Sequence, residues 1–192
     1  MRSVIEKSLR EADELLHAFR TNPNMVDAVE RTADLVLATF KAEGKILACG
    51  NGGSMADAMH FCEEWSGRFR EDRDPYPAIA LSDPTHLTCV ANDYGFEHVF
   101  SRQVRALGQP NDMLLVLTTS GNSPSILEAA RSAKDRKMKV VGFLGKGGGE
   151  VLSLCDVSLV APGATSDRIQ ELHMLCLHII IEAVEAEMKS SA

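Results

Sequence analysis

Val4, Ile5, Leu9, Leu15, Leu16 and Phe19 recur among charged positions over residues 2–20, the spacing of an amphipathic helix, and Asn22-Pro23-Asn24 stops it. A second helix is expected over 25–40, ended by Gly44. Beyond it, short apolar runs alternate with helical patterns. Strands are expected at 45–49, 78–81, 113–117, 139–144 and 157–160, and helices at 54–68, from 84 to about 91, 96–107, from 124 to about 136, and 166–189. Asp83-Pro84 and Ser123-Pro124 each read as an N-cap followed by proline in the first helical position. The last helix is apolar nearly all round over 172–181, which suits a buried element or a subunit interface.

Strands separated by helices imply a parallel sheet covered on both faces, with ligands held at the carboxyl ends of the strands. The expected fold is a doubly wound α/β sandwich forming one domain over 1–192. Its first 43 residues make a helical extension, which precedes the first strand and is read as packing on a partner subunit. No repeat of solenoid period and no low-complexity linker interrupts the pattern.

Composition narrows the function classes. The 192 residues are 45% hydrophobic, enough for one packed core. A net charge of -7 with dispersed acidic residues argues against a nucleic-acid surface. The N-terminus lacks the apolar stretch of a signal peptide and no run approaches a membrane span, so the chain is expected in the cytoplasm and off the membrane. Five cysteines without CxxC spacing read as reduced, mostly buried thiols that form neither disulfides nor a cysteine zinc site.

Two loops carry candidate chemistry. The run Leu-Ala-Cys-Gly-Asn-Gly-Gly-Ser, residues 47–54, takes a strand through a glycine-rich turn into a helix, whose free N–H groups and positive end suit an anion. His60 and Glu64 follow at i and i+4, on one helical face. Alone, each half reads equally as a tight turn and as a surface ion pair; their order on one short segment favours a site. The second loop, Thr118-Thr119-Ser120-Gly121-Asn122-Ser123, offers four hydroxyls before another helix, a phosphate cage without lysine. Neither loop matches a dinucleotide or Walker A motif, so a nucleotide is not indicated. The run Gly145-Lys146-Gly147-Gly148-Gly149 reads as a flexible turn. His178 lies among aliphatic residues. It is either a core histidine satisfied by one hydrogen bond or, with His60 and Glu64, a metal ligand. Gln170 is about 12 Å from it along a helix, so a shared ion would have to lie between them. His17, His86, His98 and His173 receive no role.

These residues resemble the phosphoheptose isomerases, of the SIS (sugar isomerase) fold, over essentially the whole chain. The resemblance rests on Cys-Gly-Asn-Gly-Gly-Ser at 49–54, Asp-Ala-Met-His at 57–60 with Glu64, Ala-Asn-Asp-Tyr-Gly at 91–95, Thr-Ser-Gly-Asn-Ser at 119–123, and Arg-Ile-Gln-Glu at 168–171 with His178. It implies a cytoplasmic homotetramer with sites between subunits. The implied activity is conversion of sedoheptulose 7-phosphate to D-glycero-D-manno-heptose 7-phosphate, the first step toward the ADP-heptose of bacterial surface polysaccharides such as the lipopolysaccharide core. By the same resemblance Asn51, Gly52 and Gly53 touch the sugar, and Ser54, Thr118, Thr119, Ser120 and Ser123 hold the phosphate. Asn92 and Asp93 line the pocket. Zinc is held by His60, Glu64, Gln170 and His178, with Glu64 and His178 as the acid/base pair and Glu64 and Gln170 also touching substrate. The family usually has serine where this chain has Thr118, and the hydroxyl is kept. Two rival classes share the fold: proteins that associate with a replication initiator, and non-catalytic sugar-phosphate sensors. Glu64 and His178 speak for an enzyme against both; a shorter phosphorylated ketose as substrate stays open.

Overall fold

The computed structural model describes residues 1–190, so the last two positions of the expected 1–192 domain lie outside the described residues. Two helices lead: α1 (Arg2–Arg20) and α2 (Pro23–Lys41). Then come β1 (Ile46–Gly50), α3 (Gly53–Ser66), β2 (Ala78–Ala80), α4 (Pro84–Tyr94), α5 (Ser101–Leu107), β3 (Met113–Thr118), α6 (Pro124–Asp135), β4 (Lys139–Gly145), β5 (Val157–Ala161) and α7 (Ser166–Ser190). The five strands form one wholly parallel sheet in the order β2-β1-β3-β4-β5. Alternate residues of each strand point to opposite faces. Ile46, Ala48, Met113, Leu115 and Phe143 pack under α2, α3 and α7, whereas Leu47, Cys49, Leu114 and Val116 pack under α4, α5 and α6. Helices on both faces explain why β1 and β3 are apolar at almost every position.

Several expectations change in detail. Asn22-Pro23-Asn24 starts a helix as well as stopping one: Asn22 is the N-cap of α2, accepting from Asn24 N at 3.1 Å, and Pro23 needs no N–H there. The expected helix 96–107 is broken. Phe96–His98 is a 3-10 turn, and α5 begins only at Ser101. The carbonyl of Val99 is taken by the His86 ring of α4, with Nε2 at 3.1 Å, rather than by a helical N–H. Asp83 caps α4 as expected, through its side chain on His86 N at 2.7 Å, and that helix runs on to Tyr94.

The two leading helices part company. α2 buries Ala28, Val29, Val36 and Phe40 against the chain's own sheet and α7, so one face of it belongs to this chain's core. α1 buries only Phe19, leaving Val4, Ile5 and Leu9 exposed. On α7 the apolar ring is incomplete, because Leu175 and Ile179 face outward. Cys49, Cys62 and Cys176 are buried free thiols, held protonated by desolvation, but Cys89 is exposed.

Candidate active site

Strand order reverses between β1 and β3, and a crevice opens outside the carboxyl ends of strands at such a point. Gly50 pairs beside Leu117, so the turns that leave β1 and β3 stand side by side. Three helices begin there: α3 just past Gly52, α6 after Ser123, and α7 at Ser166. Around them lies a cavity of about 220 Å³ lined by Asn51, Ser54, Thr118, Thr119, Ser120 and Ser123, with Ser166 and Gln170 closing it from α7. Among the described residues, no lysine or arginine lines it. The positive ends of three helices and a ring of hydroxyls supply the complement for an anion.

Local geometry keeps this cavity open. Gly52 has φ +58°, a left-handed conformation that glycine adopts without penalty. A Cβ on Gly53 would stand 2.6 Å from Gln170 Oε1, so glycine lets α7 approach the turn. Gln170 Nε2 donates to the Ser54 hydroxyl at 3.3 Å. Asn51 donates to Ser125 Oγ at 3.0 Å, and the Thr119 and Ser166 hydroxyls are 3.0 Å apart. Thr118 is buried and its hydroxyl accepts from Gly121 N at 3.2 Å, fixing the second turn from inside. Ser123 sits at the N-cap of α6 without a side-chain capping bond, which leaves its hydroxyl to the cavity. The glycine run after β4 is a turn held against this loop: Glu150 N donates to Asn122 Oδ1 at 3.0 Å, and Val151 N to Gly121 O at 3.0 Å.

Two to three turns along α3, His60 and Glu64 meet His178 of α7. Ligand-capable atoms of the three all lie within 4.8 Å of one another. His60 Nε2 is 3.1 Å from Glu64 Oε1, and the two imidazoles meet edge-on with centroids 5.1 Å apart. Phe69 stacks on the other side of His178 at 5.8 Å. Two nitrogens and a carboxylate oxygen converging like this could hold a divalent metal ion. Asn92 and Asp93 stand apart from both groups, exposed at the end of α4 and bonded to each other.

The core-histidine reading left open for His178 belongs instead to His173, which received no role, while His178 joins His60 and Glu64. His173 is the buried one: Nε2 donates to Leu144 O at 3.0 Å and Nδ1 has no partner, so the ring is neutral. Burial pushes its pKa from 6.5 down to about 4, against a smaller upward pull from the Leu144 carbonyl. His178 is only half-buried. Since His173 binds its proton more weakly in the folded chain, its contribution to stability is complete above pH 6.5 and is lost as pH falls toward 4, by roughly 3 kcal/mol. Asp57, raised to about 6 by burial with His60 pulling the other way, has the opposite slope. Denaturation midpoints of the parent minus those of His173→Gln, taken from pH 4 to 7, cancel the Asp57 part; a flat difference would refute the His173 assignment.

Sequence reasoning missed Ser125 and Ser166. Ser166 had a signal, since it opens a helix after a loop as Ser54 and Ser123 do. Ser125 had none, because its partner Asn51 is 74 residues away.

Comparison with known proteins matches residues 9–145 to the SIS domain. Phosphoheptose isomerase of Fusobacterium nucleatum is 51% identical over 175 residues, covering 91% of this chain and 90% of that protein. The Vibrio cholerae phosphoheptose isomerase is 48% identical, covering 96% and 97%. The structure of the Neisseria gonorrhoeae phosphoheptose isomerase superposes with a TM-score of 0.91 at 38% identity, covering 96% of this chain and 98% of that one.

Proposed function

The chain belongs to the phosphoheptose isomerases, a family of SIS-domain enzymes, and from that premise we propose that it converts sedoheptulose 7-phosphate to D-glycero-D-manno-heptose 7-phosphate, the first step toward ADP-heptose for a surface polysaccharide. The observation that carries the substrate is a spacing. Ser54 at the anion cavity and the pair His60 and Glu64 lie on one helix, six to ten residues apart, or about 9–15 Å by the helical rise. An extended seven-carbon sugar phosphate spans roughly 10 Å from C1 to phosphorus with bonds near 1.5 Å. Phosphate held among Ser54, Thr118, Thr119, Ser120 and Ser123 therefore brings C1 and C2 to Glu64 and His178, and Asn51, Gly52, Gly53 and Gln170 line the way. Asn92 and Asp93 would join from α4, where they are exposed.

In this reading Glu64 takes the proton from C1 of the ketose while His178 gives a proton to the carbonyl oxygen on C2, leaving an enediol. The proton on Glu64 then returns to C2, and the hydroxyl on C1 gives its proton back to His178 as the aldehyde forms, so atoms and protons balance. Zinc is the ion we assign to His60, Glu64 and His178; Gln170, whose side chain is turned to Ser54 at the anion cavity, would complete the set only by turning along α7 toward them. When bound, it would supply Lewis acidity for the charge that develops on the two oxygens.

We further assign a homotetramer with sites between subunits. Exposed Val4, Ile5 and Leu9 on α1 and Leu175 and Ile179 on α7 support it, since apolar faces of this kind are otherwise left to water. We also assign it to the cytoplasm. No helix among the described residues is long and apolar enough to cross a membrane.

Incubation of purified protein with sedoheptulose 7-phosphate tests the whole reading. Metal-replete protein should form the heptose 7-phosphate, a chelator should remove at least nine-tenths of the rate, and added zinc should restore it. Absence of product with replete protein would sink the isomerase assignment; full activity after thorough demetallation would sink the metal.

A further inference from the structure

Arg73 lies in the loop after α3 and is largely buried, its side chain only 13% exposed. Its Nη2 donates to the backbone carbonyl of Glu64 at 2.7 Å, and its Nη1 to the carbonyl of Trp65 at 2.9 Å. These carbonyls belong to the last turn of α3, where no further helical N–H can reach them. The third arm, Nε, donates at 2.7 Å to Glu185, a buried carboxylate on α7. Glu185 lies seven residues, two helical turns, beyond His178 and so on the same face of α7. Rings of Trp65 and Tyr76 lie 5.8 Å and 5.1 Å from the guanidinium carbon.

We propose that Arg73 and Glu185 form a positioning clamp that fixes the spacing of α3 and α7 at the His60, Glu64 and His178 cluster. The inference rests on the isomerase reading of that cluster and adds to it two residues that touch neither substrate nor metal. Two donors of the cluster ride on α3 and one on α7, so their convergence depends on how these helices stand to each other. A buried ion pair contributes little net stability over apolar packing, but its geometry is specific. Arginine alone supplies a planar fork that can hold two carbonyls and a carboxylate together; lysine, with one flexible ammonium, cannot. Supporting partners of metal ligands matter about tenfold or more for affinity when removed.

Arg73→Lys and Glu185→Gln separate positioning from folding. Glu71→Gln is the control, because Glu71 also ties this loop to α7, through exposed Lys189, without touching α3. Zinc affinity is measured by competition with a chelating indicator, kcat and KM on sedoheptulose 7-phosphate, and fold by circular dichroism and thermal melting. Expected for both clamp variants are a parental fold, zinc held about tenfold more weakly, kcat down about tenfold and KM within about twofold, while Glu71→Gln matches the parent. The clamp is overturned if either folded variant keeps zinc affinity and kcat within about twofold of the parent, or if Glu71→Gln loses as much. Should Arg73→Lys fail to fold, Glu185→Gln decides by the same criteria. A parent that binds zinc but makes no product sinks the isomerase reading and leaves the zinc ratio to decide the clamp; one that turns over without zinc leaves the kcat ratio to decide it.

Discussion

Glu64→Gln is expected to lower kcat on sedoheptulose 7-phosphate by about a thousandfold while KM stays within about threefold. A positioned general base contributes roughly 10² to 10⁴ in rate, and glutamine keeps the shape of glutamate without its capacity to take a proton. Binding should survive because the anion cavity is built from other residues, the hydroxyls and helix ends around Ser54, Thr118 and Ser166. Loss of a carboxylate beside His60 also weakens the proposed metal, so the rates are compared at saturating zinc. Exchange of the C1 hydrogen with deuterium from solvent isolates the step assigned to Glu64 and should fall in parallel. A variant that exchanges and turns over within tenfold of the parent would move the base elsewhere.

Thr118→Val should lower kcat/KM by about a hundredfold, chiefly through KM, and Thr118→Ser should retain the parental value within about threefold. Valine nearly preserves the volume of a side chain that is buried beneath the second turn, but removes the hydroxyl. Two losses then combine. The phosphate loses a donor, and the N–H of Gly121 loses its acceptor, which costs about 1–3 kcal/mol for a buried group. An interaction made equally in ground and transition states shows in KM rather than kcat. Titration with inorganic phosphate should report the same weakening without any chemistry; equal phosphate affinity in parent and Thr118→Val would remove Thr118 from the anion site.

Much of the fold could be read from local pattern because the information is local. Every strand of the sheet is a short apolar run at nearly the expected place, and Asp83-Pro84 starts its helix through a bond three residues long. Failures arose where tertiary partners overrode the pattern. Residues 96–107 have a helical look, yet the Val99 carbonyl is taken by His86 of α4 and the helix restarts only at Ser101. The leading helices look alike in sequence, but only α2 finds a groove on the chain's own sheet. His173 and His178 sit in the same apolar stretch; which one is buried depends on the strand that α7 crosses, since Leu144 O offers a partner to His173 alone.

By itself the sequence determined the order of strands and helices, the two polar turns at strand ends, and the pairing of His60 with Glu64 on one face, because each follows from spacing along a single element. Tertiary structure alone decided that the two turns adjoin, which required β1 to pair with β3 across more than sixty residues of chain. It also decided that α7 delivers Ser166 and Gln170 to the anion cavity and His178 to His60 and Glu64, at two points along its length. The crossing of α3 and α7 is set by side chains packed between them and by Arg73 reaching from one to the other, contacts that no periodicity within either helix encodes.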